Sequence, residues 1–154
     1  MKVLHVTALE VAINLFGDVR EVAGDEDHPL IMAALRMAAE WPEHDEVPWC
    51  SSVPYMVSSA LGLPKPEVNG LMARSWLTVG EVVPLEEARP GFDLAIFSRG
   101  DDPPGPEVLR APGHVAYFYG LMGSKVLAYG GNQDNSFNLG FFPTHRLLGI
   151  RRVM

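Results

Sequence analysis

The sequence predicts one α+β domain, helical in its first half and built from antiparallel strands in its second. Three observations carry this. The 154 residues, 47% of them hydrophobic and 20% charged, suffice for one core and fall short of two ordinary domains. Up to Gly80, apolar residues recur at the three- and four-residue spacing of helices with one buried face. From Glu81 onward, short β-branched and aromatic runs alternate with Gly, Pro, Asn and Asp turn signals. The chain 1–154 is therefore read as a single domain, with 1–80 its mainly helical half and 81–154 its sheet.

Residues 4–16 place Leu9, Ala12, Ile13 and Phe16 on one helical face, and Gly17-Asp18 stops the helix. The acidic, glycine-punctuated stretch 17–28 is a loop. Pro29 suits the first turn of a second helix, with Asp27 or His28 near its cap and Ile31, Ala34, Leu35 and Ala38 on its inner face. That helix ends near Trp41-Pro42. A polar connector follows, in which Glu43, Asp45 and Glu46 form an exposed charge run beside a solvated His44, and it delivers Trp49 and Cys50.

Residues 51–61 return to helical spacing through Val53, Met56, Val57, Ala60 and Leu61, closed by Gly62-Leu63-Pro64. Pro54 complicates the start. It lacks an N–H, and its ring crowds the Cys50 carbonyl in any helix already begun there. The helix therefore starts a residue or two later with a serine cap, or is distorted in its first turn.

Residues 73–77 form a short helix or turn that packs Trp76 inward. Arg89-Pro90-Gly91 marks a turn, 93–97 a buried strand, and the Asp-, Pro- and Gly-rich stretch 99–113 an exposed loop. Strands at 114–119 and 126–129 are joined closely enough to make an antiparallel hairpin. Folding it about the middle of its loop brings His114 beside Gly131-Asn132. A polar loop at 134–140 and a last strand at 147–153 complete the chain, with Arg146, Arg151 and Arg152 on a solvated sheet edge.

With 12 basic and 19 acidic side chains the formal charge is -7, which gives no general attraction to nucleic acid or anionic membrane. One cysteine forms no internal disulfide and, with five scattered histidines, builds no multi-thiolate metal site. The sequence shows neither a secretory signal nor an apolar run of spanning length, so synthesis in the cytoplasm is expected, with separate delivery for any action outside it.

Cys50 stands where an irregular, proline-marked segment turns into a helix, and unpaired N–H groups at a helix start favour a thiolate. Thiol attack on an amide needs a base, a group that orients it and donors for the oxyanion. His114 supplies an imidazole for the base, and Asn132 a carboxamide that fixes the ring without adding charge. Each alone has an ordinary reading: a small buried cysteine, a strand-end histidine, a turn asparagine. Their order and the hairpin joining two of them favour a relay. A one-residue slip in the hairpin would put Gln133, or further along Asn135, in Asn132's place.

The stations Pro48-Trp49-Cys50-Ser51, Ser75-Trp76, Gly113-His114-Val115 and Gly130-Gly131-Asn132-Gln133 resemble the NlpC-type superfamily of cell-wall cysteine peptidases, particularly its phage and prophage branch. Glu21-Val22-Ala23-Gly24, Pro90 to Phe97 and Leu148-Gly149-Ile150-Arg151 resemble further stations of that branch, so the likeness spans nearly the whole chain. It implies a papain-like fold of the NlpC/CHAP kind, with N-terminal helices packed on an antiparallel β-sheet and the nucleophile at a helix N-terminus. It further implies Cys50 as nucleophile, His114 as base, Asn132 as the third member, and no metal or organic cofactor. Trp49, Ser51, Trp76 and Gln133 are the candidate substrate contacts.

The expected activity is peptidoglycan hydrolysis at a cell-wall amide bond, by a phage lysin or tail-associated lysin, after holin-, tail- or secretion-mediated delivery. The alternatives are a non-catalytic structural or wall-binding tail module, a papain-like acyltransferase, and an injected amidase effector. Three positions depart from the family pattern. Trp49 precedes the nucleophile where the broader superfamily often has Asp, Phe92 interrupts the Pro-Gly-Asp run, and Pro54 replaces an ordinary helix former.

Overall fold

The computed structural model describes residues 5–154. Three helices precede the sheet: α1 (Ala8–Phe16), α2 (Pro29–Ala38) and α3 (Ser52–Leu61). Helix α1 begins later than its apolar spacing predicts, because Thr7 and Glu10 form a reciprocal capping box that fixes the first turn; Leu4 lies outside the described residues. His28 caps α2, its Nδ1 accepting from Leu30 N–H at 3.2 Å. The helix stops at Ala38, short of Trp41-Pro42, where Ala39 turns to extended backbone. Gly62, at φ 67°, gives α3 its left-handed C-cap.

A six-residue 3-10 segment, Ala73–Thr78, buries Trp76 before the sheet begins. The strands are β1 (Glu81–Val83), β2 (Asp93–Ser98), β3 (Gly113–Met122), β4 (Lys125–Gln133), β5 (Ser136–Pro143) and β6 (Leu147–Arg152). They form one antiparallel sheet in the order β1-β6-β2-β3-β4-β5. The α+β architecture is as the sequence predicts, and β3 and β4 form the expected hairpin.

Three expectations change. The stretch 134–140 is not a loop: only Asp134 and Asn135 turn, at φ 50° and 58°, and β5 then pairs with β4 along most of its length. Strand β6 lies between β1 and β2 rather than at an edge. There Arg152 forks onto the buried Asp93 with contacts of 2.9 and 2.7 Å, while Asp93 also accepts from Arg89 N–H. Asp45, expected on an exposed charge run, is buried; it accepts from Val22 and His28 N–H groups and ties the 17–28 loop to the connector.

The sheet separates two cores. On one face α1, α2, α3 and the Trp76 segment pack Leu9, Phe16, Leu35, Trp49, Val53 and Trp76 against Leu94, Ile96 and Val115. On the other, Ala95, Phe97, Ala116, Phe118, Val126 and Ile150 form a smaller cluster. This second core exists because the sheet curls. Phe97 on β2 stacks on Phe142 of β5 with centroids 4.3 Å apart, although β3 and β4 lie between those strands. In a flat sheet three strand spacings would separate them by about 14 Å.

Strand β4 meets the helical layer where no side chain fits. A Cβ on Gly131 would lie against the Trp49 ring and 2.7 Å from Val53 Cγ2. We expect Gly131→Ala to destabilise the protein by about 1–3 kcal/mol, as overpacking of a filled core does. Urea unfolding followed by tryptophan fluorescence measures it, and an unchanged midpoint would show that the helix–strand contact is slack.

Candidate active site

Pro54 decides where α3 begins. The last bond before the helix is Ser52 N–H to Trp49 O at 3.1 Å, and the first helical bond is Tyr55 N–H to Ser51 O at 3.2 Å. Pro54 thus falls in the first turn, where an N–H has no helical partner in any case. Cys50 sits just ahead of the helix. Ser51 occupies the cap position but gives no side-chain cap. Its hydroxyl donates to Gly70 O at 2.6 Å and accepts from Trp76 Nε1–H at 2.8 Å.

Three of the four residues expected to touch substrate are therefore structural. Ser51 and Trp76 hold each other in the interior, and Trp49 is buried with its Nε1–H donating to Glu21 Oε1 at 2.8 Å. These contacts pin both sides of the Cys50 backbone. Cys50 is 3% exposed, and the backbone N–H of Val115, one residue beyond His114, lies where it favours the thiolate. Burial pushes its pKa up; the N–H groups of Val115, Ser51 and Cys50 itself and the charge of Arg99 oppose that rise without reversing it.

His114 starts β3 and is 1% exposed. One face of its ring stacks on Phe142, with centroids 5.1 Å apart. Both ring nitrogens are engaged. Nδ1 is 3.0 Å from Arg99 Nη2, and Nε2 is 2.9 Å from Gln133 Oε1. A guanidinium only donates, so Nδ1 is the acceptor and Nε2 carries the proton that Gln133 Oε1 accepts. The Gln133 amide is held in turn: its Nε2 donates to Asn138 O and Oδ1, and Asn138 Nδ2 returns a bond to Gln133 O. Burial, reinforced by the nearby Arg99 charge and only partly offset by the Gln133 bond, lowers the His114 pKa to about 4.

The carboxamide on the imidazole is thus that of Gln133, not Asn132. The β4–β5 ladder shifts register between Gly130 and Gln133, and Asn132 takes a left-handed φ of 56°. That irregularity advances by one residue the position that reaches the ring. Gln133, expected as a substrate contact, is therefore the orienting group. Arg99 was not foreshadowed by any spacing. It is an exposed loop residue immediately after β2, brought over the ring because Phe97 pairs with His114. Glu21 and Asn138 are likewise visible as supports only in three dimensions.

Chemically, a buried thiol just ahead of α3 and a buried, oriented, neutral imidazole at the start of β3 both feel the charge of the same Arg99. Among the described residues no cluster of His, Cys, Asp and Glu is placed to hold a metal ion. No protein-family model matches the chain, and no curated protein matches it in sequence.

A histidine whose pKa is lowered on folding binds its proton in the unfolded chain first. Its contribution to stability is complete above the unfolded value of about 6.5 and is lost as pH falls toward about 4. We expect urea stability to decline through that window in the native protein and to decline less in His114→Phe. NMR of the ring protons should give a titration midpoint well below the ordinary histidine range, and a midpoint near that range would contradict the buried, neutral ring.

Proposed function

We propose that the chain is a papain-like cysteine amidase or peptidase that cleaves an amide bond of bacterial peptidoglycan. The observation that carries this reading is the Gln133 carboxamide on His114 Nε2, which leaves Nδ1 as the basic nitrogen on a strand whose next N–H, that of Val115, favours the Cys50 thiolate. The likeness of the PWCS, GHV and GGNQ stations to the phage branch of NlpC-type enzymes supplies the substrate class. Delivery to the wall is by a phage particle, a holin or a secretion system.

In this mechanism His114 Nδ1 takes the thiol proton as sulfur bonds to the substrate carbonyl carbon. The carbonyl electrons move onto oxygen, where the N–H groups at the start of α3 receive the negative charge. The tetrahedral adduct collapses by breaking the C–N bond, and the imidazolium gives its proton to the departing amine. Water then attacks the thioester with His114 again as base, releasing the carboxylic acid and restoring the thiol. Gln133 holds the ring tautomer throughout without supplying a charge. An amine in place of water would make the same acyl-enzyme a transferase, a distinction read by product mass spectrometry with an added amine.

A second reading has its own support. Cys50 and His114 are both nearly sealed, and the base nitrogen already has a partner, as suits a wall-binding or tail-structural module that retains the fold. One experiment separates them. Purified peptidoglycan and defined muropeptides are incubated with the native protein, Cys50→Ser and Gln133→Leu, and the released fragments are weighed. The enzyme reading expects fragments from the native protein, none from Cys50→Ser, and a rate lowered roughly 100-fold in Gln133→Leu. No fragments from any of the three would move the protein to the structural class.

A further inference from the structure

Among the described residues, Arg99 has no carboxylate partner; the side-chain bond of its guanidinium is the one to His114 Nδ1. That is an unusual resting place for an arginine. The guanidinium is a planar fork suited to two parallel bonds with a carboxylate, and here it spends one N–H on a neutral nitrogen. The position is also peculiar. His114 is buried, yet Arg99 is exposed, so this side chain lies between the imidazole and solvent. Its charge is felt at Cys50 as well as at His114. The backbone beneath it is fixed, because Phe97 and Ser98 are paired with His114 and Gly113 in the sheet, whereas Gly100, at φ 98°, begins the loop.

We propose that Arg99 is the receptor for a carboxylate on the substrate, and that in the free protein it caps the base. This rests on the amidase reading above. While the guanidinium donates to Nδ1, that lone pair cannot take the thiol proton. A substrate carboxylate offers the fork two parallel bonds in which both partners are charged, in place of one bond to a neutral ring. Binding the correct substrate therefore turns Arg99 away, uncovers Nδ1 and opens a path to the thiol in one movement. The ligand class is an acyl peptide with a free carboxylate close to the scissile bond. Amidation of that carboxylate removes the charge and leaves the cap in place.

The test reads the ring directly, without turnover. Protein carrying 15N-histidine is titrated with N-acetyl-L-alanyl-D-glutamate, and in parallel with its diamide, in the native form, Arg99→Gln and Arg99→Lys. We expect the dicarboxylate to shift the His114 Nδ1 resonance of the native protein at least tenfold more than the diamide does. Arg99→Gln should show no such preference, and Arg99→Lys, which keeps charge but not the fork, should recover only part of it. Equal responses to the two ligands in the native protein, no response to either, or a preference undiminished in Arg99→Gln would overturn the proposal. Because Arg99 is exposed, loss of folding in the variants is not expected, and the dispersion of their spectra checks it. The same proteins given muropeptides with free or amidated carboxylates test the amidase reading separately. A carboxylate-dependent ring shift without cleavage would keep the receptor and discard the enzyme.

Discussion

An imidazole taken out of water leaves two nitrogens that must each find a partner, and much of this structure follows from meeting that demand at His114. Its Nε2–H ends on Gln133, and Gln133 is steadied by Asn138 on the neighbouring strand. Its Nδ1 ends on Arg99. The ring face rests on Phe142, which reaches it only because the sheet curls far enough for β5 to approach β2. Curl, register shift and loop start are thus coupled through one side chain. With both nitrogens paired the ring stays neutral and fixed in one tautomer, with its single lone pair on the nitrogen that faces Arg99.

The thiol is held from the helical side with equal firmness. Trp49 is bound to Glu21 and packed on Gly131, while Ser51 bridges Gly70 and Trp76. The residues flanking Cys50 are anchors, so the sulfur's position depends on tryptophans that never meet solvent. Glu21, from the loop after α1, and Gly131, from β4, meet on the same Trp49 ring. The first and last thirds of the chain are joined there.

Helices were the most legible part of the sequence, since their apolar spacing and the His28 and Gly62 termini are local signals, although the Thr7 cap that sets the start of α1 went unread. The β3–β4 hairpin and β2 were legible for the same reason. Strand β5 was hidden by its own turn: Asp134 and Asn135 imposed a loop reading on a stretch in which Phe137, Leu139 and Phe141 alternate with the period of a strand. Cys50 and His114 could be picked out because each opens an element. The choice between Asn132 and Gln133 could not be made, because it depends on a register shift with no residue code of its own. Arg99 lay further out of reach, as a loop arginine whose importance comes entirely from what lies beneath it.

The long connection between β2 and β3 looks by composition like chain free to vary, yet Arg74 governs it. Its Nε donates to Pro112 O, and its Nη1 meets the carbonyls of Pro104, Gly105 and Val108, all from a position on the Trp76 segment. One guanidinium so acts as a peg on which three separate points of the loop are hung. Added length is thereby confined to the few residues between Arg99 and Pro104, since an insertion elsewhere would pull carbonyls off the peg. An insertion between Arg99 and Pro104 lengthens the loop and leaves all four Arg74 bonds in place, so that short span is where the connection can be redesigned without unfastening it.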